Sequence, residues 1–160
     1  QALAKGDRDE RAVQAARVLG VDEFVPWQAA RSVSRWDAAK AAKGVARWAT
    51  IVREAAKQAH RPWLPEVTAP VTTAQLARRA DDALIVVLEP SADEPLTGVD
   101  LAGAEEVVLV VGPEGGIAPE ELDLLRAAGA RIVKLGDTVL RTSTAGPAAL
   151  AVAAVSLGRW

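Results

Sequence analysis

Three apolar runs constrain this chain more than any other feature: Leu84–Leu88, Val107–Val111 and Ile132–Leu135. A strand with one wet face alternates apolar and polar residues. These runs are instead β-branched or Leu-rich on successive residues, so both faces are expected to be buried. That is how strands of a parallel sheet read. A helix fits between the second and third runs at Glu120–Ala128, with Pro119 in its first turn and Gly129 after its end. A last helix is expected over Thr144–Leu157, with Pro147 in the first turn, where no backbone donor is needed. Strands alternating with helices make this an α/β domain with a mostly parallel sheet flanked by helices.

The first half reads as helical. Asp7 or Asp9 can cap a helix carrying Val13, Ala16 and Leu19 on its apolar side, with Gly20 past its end. Val21–Pro26 reads as a short strand, Ser34–Lys40 as a helix, and 44–60 as a longer helix. In the longer helix Val45, Trp48, Val52, Ala55 and Ala59 share a face. Pro65, Pro70 and the residues between them form an extended connection, and Thr73–Ala80 a short helix.

Charge is unevenly spread. The net charge of the 160 residues is −2. Yet residues 31–61 hold Arg31, Arg35, Lys40, Lys43, Arg47, Arg53, Lys57 and Arg61 against only Asp37 and Glu54, while no basic residue occurs in 81–125. The basic segment suits an anionic partner, and equally a solvated helix face. There is no cysteine, which excludes disulfides, thiolate metal sites and a cysteine nucleophile. No metal site is expected: His60 is the sole histidine, and no ligand cluster surrounds it. No apolar run is long enough to span a bilayer, and no signal peptide opens the chain, so a cytoplasmic protein without membrane contact is the expectation. A start without Met, almost at once in a helix pattern, suggests a fragment of a longer protein.

In open α/β sheets ligands bind beyond the carboxyl ends of the strands. The loops there begin at Glu89-Pro90, Gly112 and Gly136. GPEGG (112–116) lets another group approach its backbone. It matches neither GxGxxG nor GxxxxGK[ST], and Glu114 would repel a phosphate. A neutral or cationic ligand fits better; a plain tight turn is the alternative. LGDTVLRTSTAGPAA (135–149) is rich in small and hydroxyl residues, with Thr144 as a candidate helix cap. Arg141 in its centre is either functional or paired with a carboxylate of the acidic segment. In EAAKQAHRPWLPEV (54–67), Trp63 beside Arg61 could stack a base or cover core.

Four stretches in order carry a resemblance: KGDRDERAVQAARVLGVDEFVP (5–26), EAAKQAHRPWLPEV (54–67), VGPEGGIAPEEL (111–122) and LGDTVLRTSTA (135–145). Over nearly all of its length the chain resembles the methyltransferase domain of bacterial 16S ribosomal RNA uridine-N3 methyltransferases, of the SPOUT superfamily. The resemblance implies a sheet whose C-terminal part threads into a deep trefoil knot. It implies S-adenosyl-L-methionine as cofactor, bordered by Leu88 and Glu89, approached by Gly112, Gly115 and Gly116, and held by Leu135, Gly136, Val139 and Leu140. It further implies a homodimer, and a preceding PUA-like RNA-binding domain that is not part of these residues. The partner would be 16S ribosomal RNA in the small ribosomal subunit.

On this reading a methyl group goes to N3 of one uridine. Arg141 would stabilise the negative charge developing on the base. Arg61, Gln58 and Glu114 fall to the substrate side. Glu89 and Glu114 are the carboxylates near enough to be considered as a base. The sequence departs from the family at Ser143, where glutamate is usual, and at Ala59, where serine is common. The alternatives are another SPOUT specificity, such as ribose 2′-O or guanine-N1 methylation, or a non-catalytic RNA- or nucleotide-binding module.

Overall fold

The computed structural model describes residues 1–59 and 63–160, with side chains described outside 56–59. In chain order the elements are α1 (Arg8–Val18), β1 (Glu23–Phe24), α2 (Ala38–Ala59), β2 (Glu66–Val67), α3 (Thr73–Arg78), β3 (Leu84–Leu88), β4 (Val107–Val111), α4 (Pro119–Ala127), β5 (Arg131–Val133) and α5 (Thr142–Ser156). Short 3-10 turns lie at Arg79–Asp81 and Leu96–Gly98.

The three apolar runs form one parallel sheet in the order β4-β3-β5. β3 shows why its run does not alternate. Ile85 and Val87 pack with Leu76, Ala77 and Leu125 of α3 and α4. Val86 and Leu88 pack on the other face with Ala149 and Ala153 of α5. A third cluster joins α1, α2 and β1 through Val13, Phe24, Trp48 and Val52. The expected mixed α/β architecture with a parallel sheet is what the structure has.

Several expected boundaries move. Val21–Pro26 is a strand only at Glu23–Phe24, paired in parallel with Glu66–Val67, inside the stretch read as a mere connection. The separate helix over Ser34–Lys40 does not exist. Asp37 accepts from the Lys40 amide (2.9 Å), and one helix runs on from Ala38. Gly44 does not interrupt it: a Cβ there would lie 2.4 Å from the Trp36 ring, which packs edge-on against Trp48 at 5.7 Å. The last strand is Arg131–Val133 rather than Ile132–Leu135. The final helix starts at Thr142, so Thr144 is not its cap and Pro147 lies in the second turn.

Two sets of backbone hydrogen bonds tie distant segments together. First, Glu89 donates its amide to Val133 (2.8 Å), Lys134 donates to Glu94 (2.8 Å), and Leu96 donates to Lys134 (2.8 Å). The exit of β5 therefore runs between the start and the end of the 89–96 loop. Second, Ala2 bridges Trp27, and its amide donates to Val111 (2.9 Å), so residues 1–3 join the β1 side to β4.

The amino group of Gln1 is enclosed and donates to the Val25 carbonyl (2.9 Å). Burial lowers its pKa from 8.0 to about 5, against the opposing pull of Asp9. Between those values the unfolded chain binds a proton that the folded chain refuses. Stability therefore falls as pH drops from 8 towards 5, by up to ~4 kcal/mol. Asp9, its pKa raised by burial, acts in the opposite sense where it titrates. Urea titrations across this range should show the slope, and N-terminal acetylation should remove it.

Candidate functional site

The loops after β3, β4 and β5 converge at the carboxyl end of the sheet. They enclose a cavity of about 490 Å³. Of the residues named from sequence, Leu88, Glu89, Gly112, Glu114, Gly116, Leu135, Gly136, Val139, Leu140 and Arg141 all line it. Gly115 does not. A Cβ at Gly115 would meet Cβ of Arg31 at 3.3 Å, and its carbonyl accepts from Arg31 Nη1 at 3.2 Å. Arg61 and the side chain of Gln58 lie outside the described residues, as does His60.

GPEGG is a turn that also forms a wall. The Gly116 amide donates to Pro113 (2.9 Å), and Gly116 has φ +73°, a left-handed conformation that glycine adopts without strain. Gly112 has a different reason. A Cβ there would lie 2.7 Å from Cγ1 of the buried Ile117. Gly112→Ala should cost about 1–3 kcal/mol by overpacking, measured as a lower urea midpoint with an unchanged slope.

Glu114 points back into the protein's own chain. Its Oε1 accepts from Arg8 Nη1 (2.8 Å) and from the Lys5 amide (2.9 Å). Burial pushes its pKa up, but the Arg8 hydrogen bond and the backbone amides outweigh this and hold it below the ordinary carboxylate range. It ties the loop to the start of α1. Glu89 accepts from the Ser91 amide (3.1 Å) and hydroxyl (2.8 Å).

Arg141 stands at the head of α5, where its carbonyl accepts from Thr144 (2.8 Å) and Ala145 (2.9 Å). Its guanidinium is exposed at the cavity and makes no hydrogen bond or ion pair with the described residues. The acidic segment does not pair with it there. Val139, 77 % exposed, forms an open apolar lip.

Three functional positions escaped the sequence reading. Thr142 donates its hydroxyl to the Gly112 carbonyl (2.7 Å) and accepts from Gln1 Nε2 (3.1 Å), linking two walls of the cavity. Arg8 lines the cavity as a second cation. Glu121, buried, accepts from the Ala30 amide (2.9 Å), the Thr73 hydroxyl (2.6 Å) and the Ala118 amide (3.3 Å). The signal for Glu121 was present: a glutamate at the third position of a helix commonly reaches back to the cap residue's amide. Among the described residues no group of three or more His, Cys, Asp or Glu could hold a metal, and no helix is long and apolar enough to cross a membrane.

The RNA methyltransferase domain family matches residues 1–154. The chain is 46% identical to ribosomal RNA small subunit methyltransferase E of Mycobacterium bovis, covering 100% of this chain and 63% of that protein. It is 35% identical to the Bacillus subtilis protein of the same name, covering 89% and 59%. Among solved structures, the Legionella pneumophila methyltransferase Lpg2936, in complex with bound SAM, superposes with a TM-score of 0.91 at 34% identity, over 98% of this chain and 64% of that one. Ribosomal RNA small subunit methyltransferase E of Neisseria gonorrhoeae, bound to S-adenosyl methionine, gives 0.88 at 29% identity, over 97% and 63%. The chain thus spans somewhat under two thirds of the length of these relatives. With its sheet, its three converging loops and these matches, the chain belongs to the RNA methyltransferase domain family, in its SPOUT 16S ribosomal RNA branch.

Proposed function

We propose that the full-length protein methylates N3 of a specific uridine in 16S ribosomal RNA, using S-adenosyl-L-methionine bound in the cavity at the carboxyl ends of β3, β4 and β5. The observation that carries the reading is an unpaired guanidinium, Arg141, at the mouth of a cavity walled by three loops. The donor set suits a zwitterionic, partly apolar ligand. Leu88, Leu135, Val139 and Leu140 supply apolar surface, and Gly112, Gly116 and Gly136 leave backbone accessible. Gly115 contributes through the turn rather than by contact. When bound, the cofactor supplies an activated methyl group; the protein supplies position and electrostatics.

Uridine N3 must lose its proton for methylation. The resulting charge spreads to O2 and O4, and Arg141 is the donor that meets it. Glu114, engaged by Arg8 and Lys5, holds the loop in shape and is not free to act as a base. Glu89, at the cavity rim, remains a carboxylate in reach. Gln58 and Arg61, with the exposed Lys40, Lys43 and Arg53 of α2, would hold RNA phosphate or the flipped base. Arg47 of that face already pairs with Glu10 (2.9 Å).

Passage of β5 between Glu89 and Glu94 supports the deep trefoil knot. A homodimer is supported by α5. It carries no charged residue from Thr142 to Ser156, yet Val155 is 64 % exposed and the nearby Trp160 62 %. A PUA-like domain ahead of these residues, and a cytoplasmic location beside the ribosome, complete the proposal. Calorimetric titration with S-adenosyl-L-methionine tests the cofactor: no heat at millimolar ligand would sink the reading for this domain. Assay of the full-length protein on small subunits lacking the modification tests the substrate, with N3-methyluridine as the product to be found.

A further inference from the structure

The second large cavity, about 650 Å³, lies away from the site, between the β1 side and the outer edge of β4. Its walls have the geometry of a strand seat. Leu84 donates its amide to Glu106 (2.9 Å). By the alternation of a parallel ladder, the even-numbered residues of β4 therefore bond to β3, and the odd-numbered ones turn their backbone groups the other way. Val111, on that outer side, already accepts from Ala2. On the opposite wall the Gln1 amino group donates to Val25, Trp27 donates to Gln1, and Leu3 donates to Trp27, each at 2.9 Å. Residues 1 and 3 thus bond to the β1 side and residue 2 to β4. That is the bonding of a central strand, and the cavity continues its line backwards along Val107–Val111.

We propose that this groove seats a further parallel strand, formed by the residues that immediately precede Gln1 in a longer polypeptide. That strand would fuse the β4-β3-β5 and β1-β2 sheets into one. About five residues span the length of β4 at ~3.3 Å each. The residue before Gln1 would donate to the Leu109 carbonyl and accept from the Val111 amide. The residue before that would donate to Glu23 and accept from Val25. Val13 and Leu150 cover one face of the groove and Leu76 the other, so the occupant has apolar side chains on both faces and no proline. The enclosed Gln1 amino group fits this continuity, because its bond to Val25 is one that a peptide N–H makes without the cost of burying a charge. The relatives' greater length leaves room for such a segment.

Amide exchange by NMR in the full-length protein tests this. Expected is protection of Leu109, Val111 and Val25 within about tenfold of that of Val108 and Val110, independent of protein concentration. Exchange at Leu109 and Val111 about 100-fold faster than at Val108 and Val110 would overturn the proposal. Protection that grows with concentration would overturn it too, since the occupant would then be a second copy. The residues encoded just ahead of Gln1 give an independent check: a polar or proline-containing stretch there contradicts the seat described.

Discussion

Alanine in place of Arg141 lowers methyl transfer by about 10²–10³-fold and leaves affinity for S-adenosyl-L-methionine within about threefold. The split follows from the position of the side chain. Its backbone, through the carbonyl that starts α5, is structural, and alanine keeps it. Its guanidinium has no partner among the described residues, so its removal orphans nothing in the folded protein. What is lost is a donor aimed at a charge that exists only as N3 gives up its proton. Single-turnover rates on small subunits, set beside calorimetric binding of the cofactor, separate the two effects. Turnover near that of the unaltered protein would remove Arg141 from the chemistry. Loss of cofactor binding in parallel would make it a binding residue instead.

Glu121→Leu has the largest expected effect on stability. The glutamate holds three separate segments: the turn at Ala30, the start of α3 through Thr73, and Ala118 just after GPEGG. Thr73 in turn accepts from Trp27 Nε1 (3.1 Å), so the network reaches the core. Leucine leaves two amides and a hydroxyl without their acceptor. At about 1–3 kcal/mol for each buried group left unpaired, the loss is at least ~3 kcal/mol, and thermal unfolding shifts down by roughly 6–12 °C. Glu121→Gln keeps one acceptor oxygen and should lose less. Cofactor affinity should fall as well in the leucine variant, because Gly112–Ala118 loses its anchor at one end. A melting temperature within about 2 °C of the original would show that the network carries no weight.

The parallel sheet was legible because a strand buried on both faces writes its pattern on every residue. The cavity followed from the rule that places ligands at the carboxyl ends of such strands, and it gathers the loops that this rule singles out. What stayed hidden depends on distant partners. Gly44 reads locally as a helix break, yet it is the flat spot on α2 that receives the Trp36 ring. Glu66–Val67 is a strand only because β1 lies beside it. Thr142 was passed over in favour of Thr144 because its hydroxyl bonds to a residue 30 positions away. Glu114 looked like a ligand-facing carboxylate in a glycine loop. Its partners, Lys5 and Arg8, lie more than a hundred residues earlier in the chain.

The passage of β5 between Glu89 and Glu94–Leu96 has a consequence in time rather than in space. Once both ends of that loop have closed on Val133 and Lys134, no further chain can enter. Everything beyond Lys134, including Arg141 and all of α5, has to be through before closure. Contacts so far apart in sequence form slowly, and here they must also form in one order. The segment that completes the cavity is also the last of these residues to leave the ribosome. The catalytic pocket is therefore the final feature the molecule acquires, and a chain truncated shortly before α5 could hold much of the sheet while never having possessed a site.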